Sequence, residues 1–109
     1  MSVQYKSIKE LKNMLNNRDI SHTELIQETF LNIKNNSKLN AFITLNEEES
    51  LKKANNLDDI AGSGSLAGIP IAQKDLFCTK DLKTTCGSNM LSNFIPPYSA
   101  TVIENLENA

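Results

Sequence analysis

The first hydrophobic stripe of the chain opens with a helix-capping sequence. In Ser7-Ile8-Lys9-Glu10, the Ser7 hydroxyl can accept from the third helical amide while Glu10 reaches back to the cap amide. Apolar side chains then recur at helical spacing, at Ile8, Leu11 and Leu15. Asn16-Asn17 ends the stripe, so the pattern predicts a short amphipathic helix.

A second stripe repeats this arrangement. Ser21-His22-Thr23-Glu24 is another capping box, and Asn35-Asn36 follows the last periodic position. The stripe between them is wider and consists of Leu25, Ile26, Thr29, Phe30 and Ile33. A second amphipathic helix is predicted here.

A strand and a third helix are predicted next. Ala41–Leu45 is short and rich in strand formers, and Asn46 leads into three acidic residues, Glu47–Glu49, that a helix N-terminus favours. The face of this helix is formed by Leu51, Ala54, Leu57 and Ala61. Gly62-Ser63-Gly64-Ser65 then predicts a loop that is too short to separate domains.

The last third of the chain predicts one further strand and one helix. An apolar run places a strand at about Ile69–Lys74, with Pro70 tolerated near its start. Polar residues at Thr79–Lys83 predict a turn, and Pro96-Pro97 precedes the final stripe. That stripe, Val102, Ile103, Leu106 and Ala109, reaches the terminus without a Gly or Asn cap. We therefore expect a chain truncated within a helix.

Alternating strands and helices predict an α/β fold with a parallel sheet, which needs cover on both faces and further strands alongside. Two or three strands cannot meet that need. We expect residues 1–109 to be the N-terminal part of a single larger domain, supplying its N-terminal helices and first strands.

Charge argues against direct phosphate-backbone binding. The 11 basic and 13 acidic residues give a formal net charge of -2, and the basic residues are spread along the chain. If RNA is involved, we expect a partner to hold it. No apolar stretch approaches the ~20 residues that cross a bilayer, and the start lacks a signal-peptide core, so a cytoplasmic protein is expected.

Few residues can support the common catalytic or metal chemistries. The single histidine, His22, falls in the first turn of a predicted helix, and Cys78 and Cys86 lack a CxxC spacing, so we expect no metal site and two packing thiols. The carboxylates at Glu47–Glu49 and Asp58-Asp59 fall at helix ends, where solvated charges are common. The loop at 62–65 lacks the lysine of a phosphate-binding loop.

Lys74 is the remaining candidate. Burial of a lysine can leave a neutral amine that acts as a base. Side chains alternate along a strand, so Asp75 would point away from Lys74 and the two need not form an ion pair. Spacing alone leaves two interpretations open: a catalytic base, or a surface lysine at the end of a strand.

A family resemblance favours the catalytic interpretation. Gly68-Ile69-Pro70-Ile71-Ala72-Gln73-Lys74-Asp75 resembles the lysine segment of the amidase signature family. Thr84-Thr85-Cys86-Gly87-Ser88 and Pro96–Val102 resemble the amidase component of its tRNA-dependent amidotransferase branch. Arg18–Ser21 and Leu39–Ile43 are similar to the N-terminal helices and first strand of that component, so the resemblance covers nearly the whole chain.

The resemblance implies a mixed sheet sandwiched between helices and a catalytic unit of a nucleophilic serine, a cis-peptide serine and a lysine, which Lys74 matches. It also implies hydrolysis of glutamine to glutamate and ammonia for two partner subunits, designated B and C. The ammonia would pass to the first partner, which uses ATP and Mg²⁺ to amidate glutamate or aspartate on a misacylated tRNA. The second, smaller partner would brace the pair. No cofactor is expected in this chain.

The two catalytic serines lie downstream in the family, so this chain alone is expected to be inactive. Ser63, Ser65 and Ser88 are interpreted as turn or cap hydroxyls. The chain departs from the family at Gln73, where an apolar residue is expected, and at Leu76, where a small polar one is expected.

Two alternatives remain open. A stand-alone amidase would use Lys74 on another amide, and the absence of neighbouring genes for the two partner subunits would favour it. A non-enzymatic helical interaction module would lack a downstream glycine- and serine-rich stretch, which the DNA beyond the Ala109 codon would reveal.

Overall fold

The computed structural model describes residues 3–59 and 64–109. Its four α-helices in these ranges are α1 (Ile8–Asn16), α2 (His22–Asn35), α3 (Glu47–Asp59) and α4 (Thr101–Asn108), and single 3₁₀ turns lie at Ser37–Leu39 and Asn89–Leu91. The chain divides into two compact units, the first from Met1–Ala41 with Asn46–Pro70 and the second from Phe42–Leu45 with Ile71–Ala109.

The predicted boundaries of α1 and α2 are confirmed. In α1 the Glu10 amide donates to Ser7 Oγ at 3.2 Å, and the Ser7 amide donates to Glu10 Oε2 at 2.7 Å. The same reciprocal pair joins Ser21 and Glu24 at 3.0 and 2.8 Å. Two donors that would be left unpaired at each helix start are thereby satisfied.

Two apolar clusters form the core of the first unit, and α2 contributes to both. One cluster consists of Val3, Leu11, Leu15, Ile20 and Leu25, and the other consists of Ile26, Phe30 and Ala54. Leu25 is 1% exposed, and burial of a leucine side chain is worth about 1.5–3 kcal/mol. Ile8, predicted on the apolar face of α1, is 53% exposed because it lies in the first turn, at the edge of this core.

Helices α2 and α3 are also joined by a carboxylate. The amides of His22 and Thr23, at the start of α2, donate to Asp58 Oδ1 and Oδ2 at 2.7 and 3.1 Å. The Thr23 hydroxyl donates to Asp58 Oδ2 at 2.6 Å, and His22 Nδ1 lies 2.9 Å from Asp58 Oδ1. Asp58 therefore caps α2 from a helix that is 35 residues away in sequence.

The predicted third helix begins at Glu47 as expected, and its Ala54 is buried while Leu51 and Leu57 are half-buried. Ala61, the last position of its predicted stripe, and Gly62-Ser63 of the predicted loop lie outside the described residues. The other two residues of that loop, Gly64 and Ser65, lie in a bend and a turn, in agreement with the loop prediction, and the turn continues to Gly68.

The two predicted strands are wrong for this structure, in which the described ranges contain no strand. Ala41–Leu45 and residues 69–74 are irregular and have no ladder partner. A strand needs a neighbour to satisfy its backbone groups, and a parallel strand needs cover on both faces. Ile43 and Ile71, which such cover would bury, are instead 65% and 45% exposed.

The second unit consists mainly of turns that end in α4. The predicted turn at Thr79–Lys83 is confirmed, with an antiparallel bridge between Thr79 and Leu82. Ile103 of α4 is buried, but Val102 is 43% exposed, so the predicted stripe is narrower than expected. The prediction that both thiols are packing groups is wrong for Cys86, which lies exposed in a turn, while Cys78 is half-buried.

Candidate active-site segment around Lys74

Lys74 lies in an irregular stretch of the second unit, and its side chain is exposed. Among the described residues, its ammonium group makes no hydrogen bond or ion pair, and only its carbonyl oxygen is bonded, by the Phe77 amide at 3.2 Å. The burial that would leave a neutral amine is therefore not supplied by the described residues.

The carboxylate of Asp75, the next residue, is bound by Thr85 and not by Lys74. Its Oδ1 accepts from the Thr85 amide at 2.8 Å, and its Oδ2 accepts a hydrogen bond from the Thr85 hydroxyl. The Asp75 carbonyl oxygen also accepts from the Cys86 amide at 2.8 Å. The Asp75 carboxylate and Lys74 form no salt bridge, but the reason is the binding of the carboxylate by Thr85 and not strand alternation, since residues 69–74 form no strand.

These hydrogen bonds favour the ionised form of Asp75. The Thr85 hydroxyl, followed by the Thr85 amide, lowers the pKa of the Asp75 carboxyl below its usual value, and slight burial opposes this. The backbone of Gly87 and the charge of Lys74 lower the pKa further, as the smallest contributions. Asp75 is therefore a carboxylate at neutral pH.

Gln73, which precedes Lys74, is also held by a side-chain hydrogen bond. Its Oε1 accepts from the Thr79 hydroxyl at 2.7 Å, and Thr79 is buried. The departure from the family pattern at Gln73 thus has a local explanation, because an apolar side chain could not make this bond. Leu76, the other departure, is 51% exposed, and no contact in the structure explains it.

Three buried threonines, Thr79, Thr84 and Thr85, form a polar core beneath the lysine segment. The Thr84 hydroxyl accepts from the Thr79 amide at 3.4 Å and donates to the Leu82 carbonyl oxygen at 3.3 Å, and the Thr84 amide donates to the Phe94 carbonyl oxygen at 3.1 Å. Within the described ranges no buried side-chain N or O atom lacks a partner. Hydrogen bonds therefore contribute to the local order of this unit, beside the buried apolar side chains of Pro96 and Ile103.

The turn that receives Asp75 is unusual in its backbone. Cys86 and Gly87 have φ angles of 51° and 69°, and the left-handed conformation costs a non-glycine residue about 1–2 kcal/mol. The Cys86 amide is held in this conformation by the Asp75 carbonyl oxygen. Asp75 of the lysine segment is thus hydrogen-bonded to the Thr84–Ser88 segment, and the two segments carry separate parts of the family resemblance.

The predicted cap role of Ser88 is confirmed, since its side chain accepts from the Met90 amide at 3.3 Å. Ser65 is an exposed turn residue, and Ser63 lies outside the described residues. His22 belongs to the other unit and is a helix-end residue, as predicted. The Gln73–Thr79 and Asp75–Thr85 pairs were not predicted from the sequence, because neither spacing belongs to a recurrent local motif.

Residues 3–59 and 64–109 contain no group of three or more His, Cys, Asp or Glu side chains that could hold a metal ion. None of the helices found in those ranges combines the length and apolar character needed to cross a membrane.

Comparison with known proteins agrees with the resemblance found in the sequence. Three curated relatives, each named as the A subunit of a glutamyl-tRNA(Gln) amidotransferase, come from Coxiella burnetii, Nitrosomonas europaea and Legionella pneumophila. They are 53%, 50% and 47% identical over 108, 107 and 104 residues, covering 95%, 94% and 93% of this chain. The chain spans only 22% of the length of each.

The family model described as Amidase matches residues 24–109, which include the lysine segment, the threonine-rich turn and α4. This match covers most of the chain, and it is consistent with the identity to the three relatives. The chain therefore belongs to the amidase family.

Proposed function

We propose that this chain is the N-terminal part of the glutamine-hydrolysing amidase subunit of a tRNA-dependent amidotransferase, with Lys74 as its catalytic base. The names of the relatives, each about half identical to nearly the whole chain, support the enzyme class. The match of the amidase family model to residues 24–109, which include the lysine segment, is the observation that carries the role of Lys74. The binding of the Asp75 carboxylate to Thr85, and not to the Lys74 side chain, is compatible with that role. A lysine held in an ion pair would be stabilised as the ammonium and would be a poor proton acceptor.

In the proposed reaction, a serine from the remainder of the protein attacks the side-chain amide of glutamine. Its proton passes through a second serine to the neutral amine of Lys74 and is then given to the departing ammonia. Water hydrolyses the resulting acyl-enzyme to glutamate, so one glutamine and one water yield one glutamate and one ammonia. This chain supplies the lysine and neither serine.

The proposal extends to the assembly that uses the ammonia. One partner subunit would bind ATP and Mg²⁺ and hold most of the misacylated tRNA, and a second, smaller partner would brace the pair in a cytoplasmic complex. The absence of a cluster of basic residues, with a formal net charge of -2, fits an ammonia-supplying protein that leaves tRNA contact to a partner. A mixed sheet between helix layers would complete the domain and cover the exposed side chains of Ile43 and Ile71.

The decisive experiment compares two nitrogen donors in the assembled amidotransferase that contains the full-length amidase subunit. We expect Lys74→Ala to lower glutamine-dependent amidation by at least about 10²-fold, the range of a lost general base, and to spare amidation driven by ammonium. Lys74→Arg should be nearly as damaging, because a guanidinium stays protonated and cannot accept the proton. Both rates can be measured on one preparation of enzyme.

Lys83→Ala is the matched control, since Lys83 is an exposed lysine of the same unit. Lys83→Ala should leave the amidation rates with glutamine and with ammonium unchanged. Equal loss with both donors in Lys74→Ala would make Lys74 a folding or interface residue, and no loss with either donor would refute its assignment as the catalytic lysine.

A further inference from the structure

We propose that Asp75 is a positioning residue for Lys74, acting through Thr85 to fix the backbone from which the lysine side chain projects. This inference rests on the proposed function, because it assigns Asp75 a task in the same glutaminase step. In this role Asp75 does not contact the substrate.

The first support is geometric. Asp75 is held at three points, by the Thr85 amide and hydroxyl on its carboxylate and by the Cys86 amide on its carbonyl oxygen. Because Thr85 binds the side chain of Asp75 and Cys86 binds its backbone, Asp75 can neither rotate nor shift freely. These bonds therefore fix Asp75 and the peptide bond that follows it relative to the 84–88 turn. The preceding peptide bond, which joins Lys74 to Asp75, is held through the Lys74 carbonyl oxygen, which accepts from the Phe77 amide at 3.2 Å.

The second support is the environment of these bonds. Thr85 is 6% exposed, so its hydroxyl and amide are shielded from competing water. Hydrogen bonds to a carboxylate are about twice as strong as neutral ones, and the Asp75 carboxylate accepts two of them from Thr85. The Asp75–Thr85 link is thus a shielded, charge-assisted contact that holds the lysine segment.

The third support is the contrast with Lys74 itself. Its side chain is exposed and is bonded to none of the described residues, so its placement depends on the backbone. Gln73 anchors the preceding residue to the buried Thr79. A proton acceptor must stay within hydrogen-bonding reach of its donor, and a displacement of 1 Å can cost about 10²-fold in rate. The flexible side chain of Lys74 can stay within that reach only if its backbone is fixed. The hydrogen bonds of the neighbouring residues, Gln73 and Asp75, fix that backbone.

The test uses the assembled amidotransferase with Asp75→Asn and Thr85→Val in the full-length amidase subunit. We expect each change to lower kcat for glutamine hydrolysis by about 10-fold, to leave KM for glutamine within about twofold, and to spare ammonium-driven amidation. Thr85→Ser keeps the hydroxyl and should retain most of the glutaminase rate. The Asp75→Asn/Thr85→Val double variant should lose little beyond either single one, because both changes break the same link.

Asp81→Asn is the matched control, since Asp81 is an exposed aspartate of the same unit, and asparagine tolerates its positive φ of 64°. It should not change either rate. A normal kcat in Asp75→Asn, additive losses in the double variant, or equal losses with both nitrogen donors would overturn the positioning role. If instead Lys74→Ala keeps full glutamine-dependent activity, the proposed function itself fails, so the two failures are distinguishable.

Discussion

Asp58 links α2 and α3, and its removal has a predictable cost. Burial by itself raises the pKa of Asp58, but hydrogen bonds from the Thr23 hydroxyl and then from the backbone and ring of His22 outweigh it. They lower the pKa from 3.8 to about 2. That difference corresponds to about 2.4 kcal/mol at 1.36 kcal/mol per pH unit. Because the Asp58 side chain is 26% exposed, solvent screening reduces the expected stabilisation to about 1–2 kcal/mol.

The perturbation is Asp58→Asn, which keeps the shape of the protonated carboxyl and removes its charge. We expect hydrogen-exchange protection of the α2 and α3 amides at pH 7 to fall by about 5- to 30-fold, which is the population equivalent of 1–2 kcal/mol. Asp19→Asn is the control, because Asp19 is an exposed aspartate of the same unit whose carboxylate makes no hydrogen bond or ion pair with the described residues.

The pH dependence has a definite sign. The folded-state pKa of Asp58 lies below its unfolded value, so its contribution is full above about pH 4 and is lost as the pH falls through about 2. The hydrogen-exchange protection of the α2 and α3 amides, corrected for intrinsic exchange rates, should therefore become similar in the wild type and in Asp58→Asn near pH 2. Equal protection of the two proteins at pH 7, or a difference that persists undiminished at pH 2, would refute the capping role derived from these contacts.

Two further stability predictions use the same exchange measurement on α2. Gly68→Ala should cost about 2–4 kcal/mol, because Gly68 has a φ of +80° and a Cβ there would lie 2.6 Å from Nε2 of His22, a ring that Asp58 holds in place. Gly87→Ala should cost only about 1 kcal/mol and leave α2 protection unchanged, because Gly87 has a φ of +69° and open space around the new Cβ. Similar effects at both glycines would contradict a clash between a Cβ at position 68 and the His22 ring. Ser21→Ala should lower α2 protection by the equivalent of about 1 kcal/mol, whereas Ser21→Asp should preserve it.

The predictions drawn from local sequence agree best with the structure at the helix ends. The capping boxes at Ser7 and Ser21 and the acidic turn that starts at Glu47 each involve groups within about one turn of each other, so the sequence specifies their partners. The confirmed family membership has a similar basis, since the match of residues 24–109 depends on residue identity and order. Lys74 could be singled out for the same reason.

The strand predictions at 41–45 and 69–74 were wrong because a strand depends on partners. Propensity and an apolar run indicate that a segment fits a sheet, but hydrogen bonds from neighbouring strands decide whether it becomes one. The described residues provide no such neighbours, and both segments remain irregular. The exposure of Ile71 has the same cause.

The sequence by itself determined the helices, the capping boxes at Ser7 and Ser21, the family and the candidate lysine, because these depend on contacts within a few residues or on the order of residues. Only the tertiary structure decided that Asp58 caps α2 and that Asp75 is bound to Thr85 rather than to Lys74. Those pairs join residues 35 and 10 positions apart, and polar side chains of this kind can hydrogen-bond to many partners. Chain folding selects the partner by bringing one donor within about 3 Å and excluding water from it, which composition and periodicity do not encode.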